Sequence, residues 1–207
     1  MEKSVGILIF DEVEVLDFCG PFEVLSVTRL NESRRREDGS PFRVHLVAER
    51  TEPVTAVGGL RVLPDFAAGD CPPLDILIVP GGYGTRKEMN NENLLTWIRE
   101  RSAGTELTAS VCTGALMLGG AGLLREKSAT THWGALDLLA EKFPETRVLR
   151  DKNVVEDGNL FTSAGISAGI EMALRIVERY HGESIARATA HHMEYTYPEN
   201  DERKVAI

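Results

Sequence analysis

Cys112 sits between a β-rich run, residues 107–111, and a helix-forming run, residues 113–123. This spacing puts a thiol on a strand-to-helix turn, with the side chain pointing out of the sheet. The first N–H groups of the following helix have no intrahelical partner and face the sulfur. Together with the helix dipole they favour a thiolate, the nucleophilic form of cysteine. Cys112 is therefore expected to do covalent or redox chemistry. The competing reading is a small buried hydrophobe, common for a free cysteine.

Other residues could complete such a site. Gly81 and Gly82 follow an apolar run, and a diglycine there lets the backbone approach a ligand and offer a second oxyanion donor beside the Thr113 N–H. A tight turn after a strand would use the same pair. Asp17, close before Gly20-Pro21, reads either as a helix N-cap or as an acid whose pKa is raised by burial beside a thiolate. The Thr113 hydroxyl could hold a water or simply begin a helix. His132, in Thr130-Thr131-His132-Trp133, could enter the chemistry or rest with its hydrogen bonds satisfied beside Trp133. His191, His192 and Glu194 do not make a metal site, because adjacent helical residues point about 100° apart and no further ligand follows. Asp11, Glu12 and Glu14 read as a solvated charged face.

The elements that position these residues alternate. Strand-like runs recur at residues 5–10, 42–48, 74–79, 107–111 and 160–163, several apolar almost throughout, as strands buried on both faces are. Helices are expected at 21–30, 93–103, 113–123, 134–142, 167–181 and 183–192. Residues 54–56 and 60–63 flank Val57-Gly58-Gly59 and read as an inserted β-hairpin. The pattern predicts an α/β fold, a doubly wound, flavodoxin-like sandwich with a mostly parallel central sheet. In such sheets ligands bind beyond the carboxyl ends of the strands, where Asp17, Gly81-Gly82 and Cys112 all fall. A single domain is expected over residues 1–197, followed by a polar tail, 198–207, able to form no more than an extended arm.

Composition narrows the class. A chain of 207 residues suffices for one α/β domain. A formal net charge of -9 would repel a phosphate backbone, so no direct nucleic-acid partner is expected. No membrane-spanning run or cleavable signal is read, and a cytoplasmic location is expected. Three cysteines, Cys19, Cys71 and Cys112, form no CxxC pair and read as free thiols.

Five motifs carry a family likeness: Val15-Leu16-Asp17-Phe18-Cys19-Gly20-Pro21-Phe22-Glu23-Val24, Val79-Pro80-Gly81-Gly82-Tyr83-Gly84, Ser110-Val111-Cys112-Thr113-Gly114-Ala115, Ala129-Thr130-Thr131-His132-Trp133 and Gly165-Ile166-Ser167-Ala168-Gly169-Ile170. With them the chain resembles the ThiJ/PfpI superfamily, related in fold to class I glutamine amidotransferases. Peptidase-like and glyoxalase-like members carry a histidine after the cysteine and a glutamate in the first-strand loop. Here those positions hold Thr113 and Asp17, which points to the isocyanide (isonitrile) hydratase branch. The sensor domains of AraC-type regulators are similar, but only about a dozen residues follow Tyr195, too few for a helix-turn-helix. The resemblance implies hydration of an isocyanide to a formamide, with Cys112 as nucleophile, Asp17 as acid and base, and Thr113 and Gly82 as N–H donors. It also implies Tyr83 and Ile166 as walls of a small apolar pocket, a small-molecule substrate, a homodimer, and no metal or organic cofactor. The alternative it leaves is a noncatalytic ligand or redox sensor.

Overall fold

The computed structural model describes residues 2–205; Met1 and the last two residues of the polar tail lie outside the described residues. Among the described residues the strands are β1 (Lys3–Leu8), β2 (Phe42–Ala48), β3 (Val54–Thr55), β4 (Arg61–Val62), β5 (Phe66–Ala67), β6 (Ile76–Val79), β7 (Leu107–Val111), β8 (Ser128–Ala129), β9 (Arg147–Val148), β10 (Val154–Asp157) and β11 (Leu160–Ser163). Seven of them make one sheet in the order β10-β11-β7-β6-β1-β2-β5. Every pairing in it is parallel except β10 with β11. The Ile-Leu-Ile-Val of β6 is buried at every position, as a central strand covered on both faces requires.

The helices are α1 (Val15–Val27), α2 (Thr85–Glu88), α3 (Glu92–Gly104), α4 (Gly114–Gly120), α5 (Leu136–Lys142), α6 (Ala168–His181) and α7 (Glu183–His192). α1, α6 and α7 pack together, while α2, α3 and α5 gather around α4. The expected mostly parallel α/β sandwich is the observed architecture. The hairpin also forms: β3 and β4 pair antiparallel, Val54 opposite Val62, across a turn in which Gly58 and Gly59 take φ of 80° and 88°. None of the helices is long and apolar enough to cross a membrane among the described residues.

Two expectations change. The first helix starts at Val15, not Pro21, and Pro21 lies inside it. Gly20 and Pro21 are poor helix formers, but both are buried where α1 meets α6, and this packing overrides propensity. The second change is that four short strands, β5, β8, β9 and β10, form without having been expected; β10 is an antiparallel edge strand whose Val154-Val155-Glu156-Asp157 carries no distinctive alternation. Register then assembles the site: Val79 lies opposite Ser110 and Ser163 opposite Val111, so the ends of β6, β7 and β11 lie side by side.

Candidate active site

Cys112 leaves β7 with φ of 56°, a left-handed conformation rare for any residue but glycine. Such a backbone costs about 1–3 kcal/mol and persists only where its surroundings over-determine it. They do so here. The Cys112 N–H donates to the carbonyls of Ser163 and Ala164, both at 3.1 Å, and Thr131 Oγ1 donates to the Cys112 carbonyl at 2.7 Å. The elbow predicted from sequence is thus a strained turn clamped from β11 and from the 131 segment. The backbone N–H groups of Thr113 and Ile166 bear on its sulfur and favour its charged form. Ile166, itself at φ of 49°, reaches the sulfur from the turn that precedes α6.

Asp17 comes to the same point from the first turn of α1. It caps no helix. Its carboxylate Oδ2 instead accepts the Gly81 N–H at 2.9 Å across the junction of β1 and β6. Oδ1 is buried without a hydrogen-bond partner. The Cys112 thiol acts on this carboxyl without completing a well-formed hydrogen bond to that oxygen. A methyl added at Gly81 would stand 2.5 Å from Thr113 N, 2.7 Å from Thr113 Oγ1 and 2.8 Å from Asp17 Oδ2. Gly81→Ala is therefore expected to cost about 1–3 kcal/mol, seen as a Tm lowered by roughly 3–10 °C in calorimetry. An unchanged Tm would mean that the Asp17–Gly81–Thr113 junction is looser than its geometry.

The diglycine does not supply the expected oxyanion donor. The Gly81 N–H is spent on Asp17, and the Gly82 N–H donates to Thr113 Oγ1 at 3.0 Å. The Thr113 hydroxyl is likewise engaged, bonded to Thr85 Oγ1 at 3.0 Å and to the Gly82 carbonyl at 3.2 Å, so it is not a water holder. The donors that reach the sulfur are Thr113 N–H, as expected, and Ile166 N–H in place of Gly82.

Electrostatics reverse the expected thiolate. Burial, then the Asp17 charge, push the Cys112 thiol up to about 12, outweighing the bonds from the Thr113 and Ile166 N–H groups. α4 offers little help, since it is only two turns long. The Asp17 carboxyl is raised to about 7, chiefly by desolvation and also by the Glu14 charge, against the lowering effect of Gly81 N–H and the thiol. The raised Asp17 fits its expected role, and near neutral pH the pair rests as a thiol beside a half-ionised carboxyl.

This has a stability consequence. A carboxyl of ordinary acidity when unfolded and near 7 when folded contributes stability that is complete below about 4 and lost as pH rises to about 7. Relative to wild type, Asp17→Asn is expected to gain up to a few kcal/mol over that window in urea melts and no more above it. A difference independent of pH would rule out the raised carboxyl.

A cavity of about 130 Å³ opens over the sulfur, lined by Glu14, Gly82, Tyr83, Arg86, Cys112, Thr113, His132 and Ile166. Tyr83 and Ile166 form walls as expected. The cavity is less apolar than expected, because Glu14 and Arg86 enter it. Glu14, read from sequence as part of a solvated face, precedes α1 with its side chain free of any capping bond. His132 lines the cavity, but its Nδ1 accepts the Gly134 N–H at 3.1 Å and its ring lies against Trp133, 5.3 Å between centroids. Burial and the charges of Arg203 and Arg86 lower its pKa. No hydrogen bond joins it to Cys112 among the described residues. Among those residues, no three His, Cys, Asp or Glu side chains come together as a metal site. Thr85, Glu14 and Arg86 have no signal in the sequence as members of the site; only long-range contacts bring them there.

A model of the DJ-1/PfpI family matches residues 3–179. The chain belongs to the DJ-1/PfpI family. It is 40% identical over 196 residues to the isonitrile hydratase of Pseudomonas putida, covering 94% of this chain and 79% of that protein. It is 29% identical to the HTH-type transcriptional regulator GbdR of Pseudomonas aeruginosa, where it spans only 53% of the regulator's length. Among solved structures, a ThiJ/PfpI family protein from Pseudomonas syringae superposes with a TM-score of 0.83 at 29% identity, covering 97% of this chain and 78% of that one. An AraC family transcriptional regulator from Pseudomonas putida, 22% identical with a TM-score of 0.78, covers 92% of this chain and 99% of that one and shares the fold. Within the DJ-1/PfpI family the likeness to a hydratase is thus stronger than the likeness to a regulator, and it supports a hydratase reading.

Proposed function

We propose that this protein hydrates an isocyanide, R–N≡C, to the N-substituted formamide, with Cys112 as nucleophile and Asp17 as the group that moves protons. The observation that carries the reading is a buried Cys112 thiol lining a small cavity, with the Asp17 carboxyl, raised to about 7, buried beside it. The 40% identity to an isonitrile hydratase supports it.

The terminal carbon of an isocyanide accepts a nucleophile and a proton at the same atom. The Asp17 carboxylate takes the thiol proton as Sγ bonds to that carbon, and the resulting acid returns the proton to the carbon. The product is a thioimidate, R–N=CH–S–Cys112. Asp17, again a carboxylate, then takes a proton from water as the oxygen attacks the same carbon and passes it to the nitrogen. Collapse of the tetrahedral adduct breaks the C–S bond, releases R–NH–CHO and returns the proton to sulfur. One water is consumed and no electrons are gained or lost. The N–H groups of Thr113 and Ile166, aimed at the sulfur, stabilise charge that develops there when it attacks and when it leaves. The Thr85–Thr113–Gly82 network ties the β6 loop to the elbow.

The test is formamide production from a panel of alkyl and aryl isocyanides by the purified protein. Turnover on at least one member is expected. Failure on all of them removes this reading, and the similarity to GbdR then favours a ligand-binding role, to be sought by thermal-shift screening of small molecules.

A further inference from the structure

The segment that follows α7 returns to the elbow from behind. Arg203 Nη2 donates to both the Thr131 carbonyl and Thr130 Oγ1 at 2.9 Å, and its Nε donates to the Arg150 carbonyl at 2.7 Å. Its backbone N–H donates to the Asp151 carbonyl, also at 2.7 Å. Thr131 is wholly buried, and its hydroxyl makes the 2.7 Å bond to the Cys112 carbonyl. One residue therefore links the guanidinium to the strained 112 peptide. All the hydrogen bonds of this guanidinium go to carbonyl and hydroxyl oxygens, and none to a carboxylate, among the described residues. Arg203 is half-buried, and taking part of a guanidinium out of water costs free energy that uncharged acceptors only partly return. Asp201 paired with Lys152, and Lys204 paired with the buried Glu171, pin the segment on either side.

We propose that Arg203 is a positioning residue for Cys112: by fixing Thr131 it holds the elbow in the left-handed conformation that aims Sγ at the Thr113 and Ile166 N–H groups. The inference rests on the reading of Cys112 as the reacting group. It does not depend on the identity of the substrate.

The test is the rate at which iodoacetamide alkylates Cys112 at pH 8, followed by mass spectrometry of the Cys112 peptide. Relaxing the elbow removes N–H bonds to the developing thiolate. Arg203→Ala and Thr131→Val are each expected to slow alkylation about 3- to 10-fold. The double variant is expected to be no slower than the slower single one, within about 2-fold, because both changes break one chain of contacts. Arg203→Lys recovers part of the rate, and Asp201→Ala, which loosens the segment away from Thr131, leaves it unchanged. Multiplying effects would overturn the proposal, as would unaltered rates in the single variants. An equal loss in Asp201→Ala would trace the effect to the segment's general attachment and overturn it as well. Alkylation needs no isocyanide, so absent hydratase turnover in the wild-type protein would count against the proposed reaction and not against this role.

Discussion

Cys112→Ala is expected to lower kcat for isocyanide hydration by about 10⁴-fold or more, the scale seen when a covalent nucleophile is removed. The reason is local. No other thiol lines the cavity, and the Asp17 carboxyl alone, activating water against an isocyanide carbon, would lack the thioimidate that divides the reaction into two easier steps. The fold should survive, since the elbow is held by backbone bonds to Ser163, Ala164 and Thr131 that alanine keeps. Single-turnover experiments with wild-type protein should reveal a formimidoyl adduct on Cys112 by mass spectrometry. A Cys112→Ala protein retaining a tenth of the wild-type rate would eliminate covalent catalysis.

Asp17→Asn is the second large effect, expected to reduce kcat by roughly 10²- to 10⁴-fold, the usual contribution of a positioned acid–base group. Asparagine can still accept the Gly81 N–H through its amide oxygen, so the junction between α1 and the β6 loop is retained. What disappears is proton transfer. In the wild-type protein the reactive form of the pair carries a single proton, shared between thiol and carboxyl. On the proposed mechanism the doubly protonated pair, dominant below about 7, is inactive, so kcat/KM should rise with pH through about 7 and stay level until the thiol itself ionises. The Asn variant should lose that rise. A wild-type profile flat from pH 5 to 9 would dissociate Asp17 from the reaction.

Much of this protein is legible in its chain. The largely apolar run of β6 announces a strand covered on both faces, β7 and β11 are likewise buried throughout, and the alternation of strands with helices predicts a parallel sheet. Cys112 between a strand and Thr113-Gly114 marks an elbow, and Gly81-Gly82 marks a close approach; both are local signals that steric rules impose on the backbone. Thr113 and Asp17 also carry the resemblance that implies a hydratase over a glyoxalase.

The tertiary structure decided the rest. Whether Cys112 rests as thiol or thiolate depends on burial and on the Asp17 charge, quantities with no sequence signature, and they outweigh the helix end that local reasoning favours. Which N–H groups face the sulfur depends on partners far along the chain: Gly81 and Gly82 are taken by Asp17 and Thr113, and Ile166 arrives from the end of β11. Glu14 and Arg86 enter the cavity, and Arg203 reaches Thr131, through contacts between residues distant in sequence. Periodicity and local sterics are set by neighbours in the chain, whereas proton affinity and hydrogen-bond competition are set by neighbours in space, and only the folded chain specifies those.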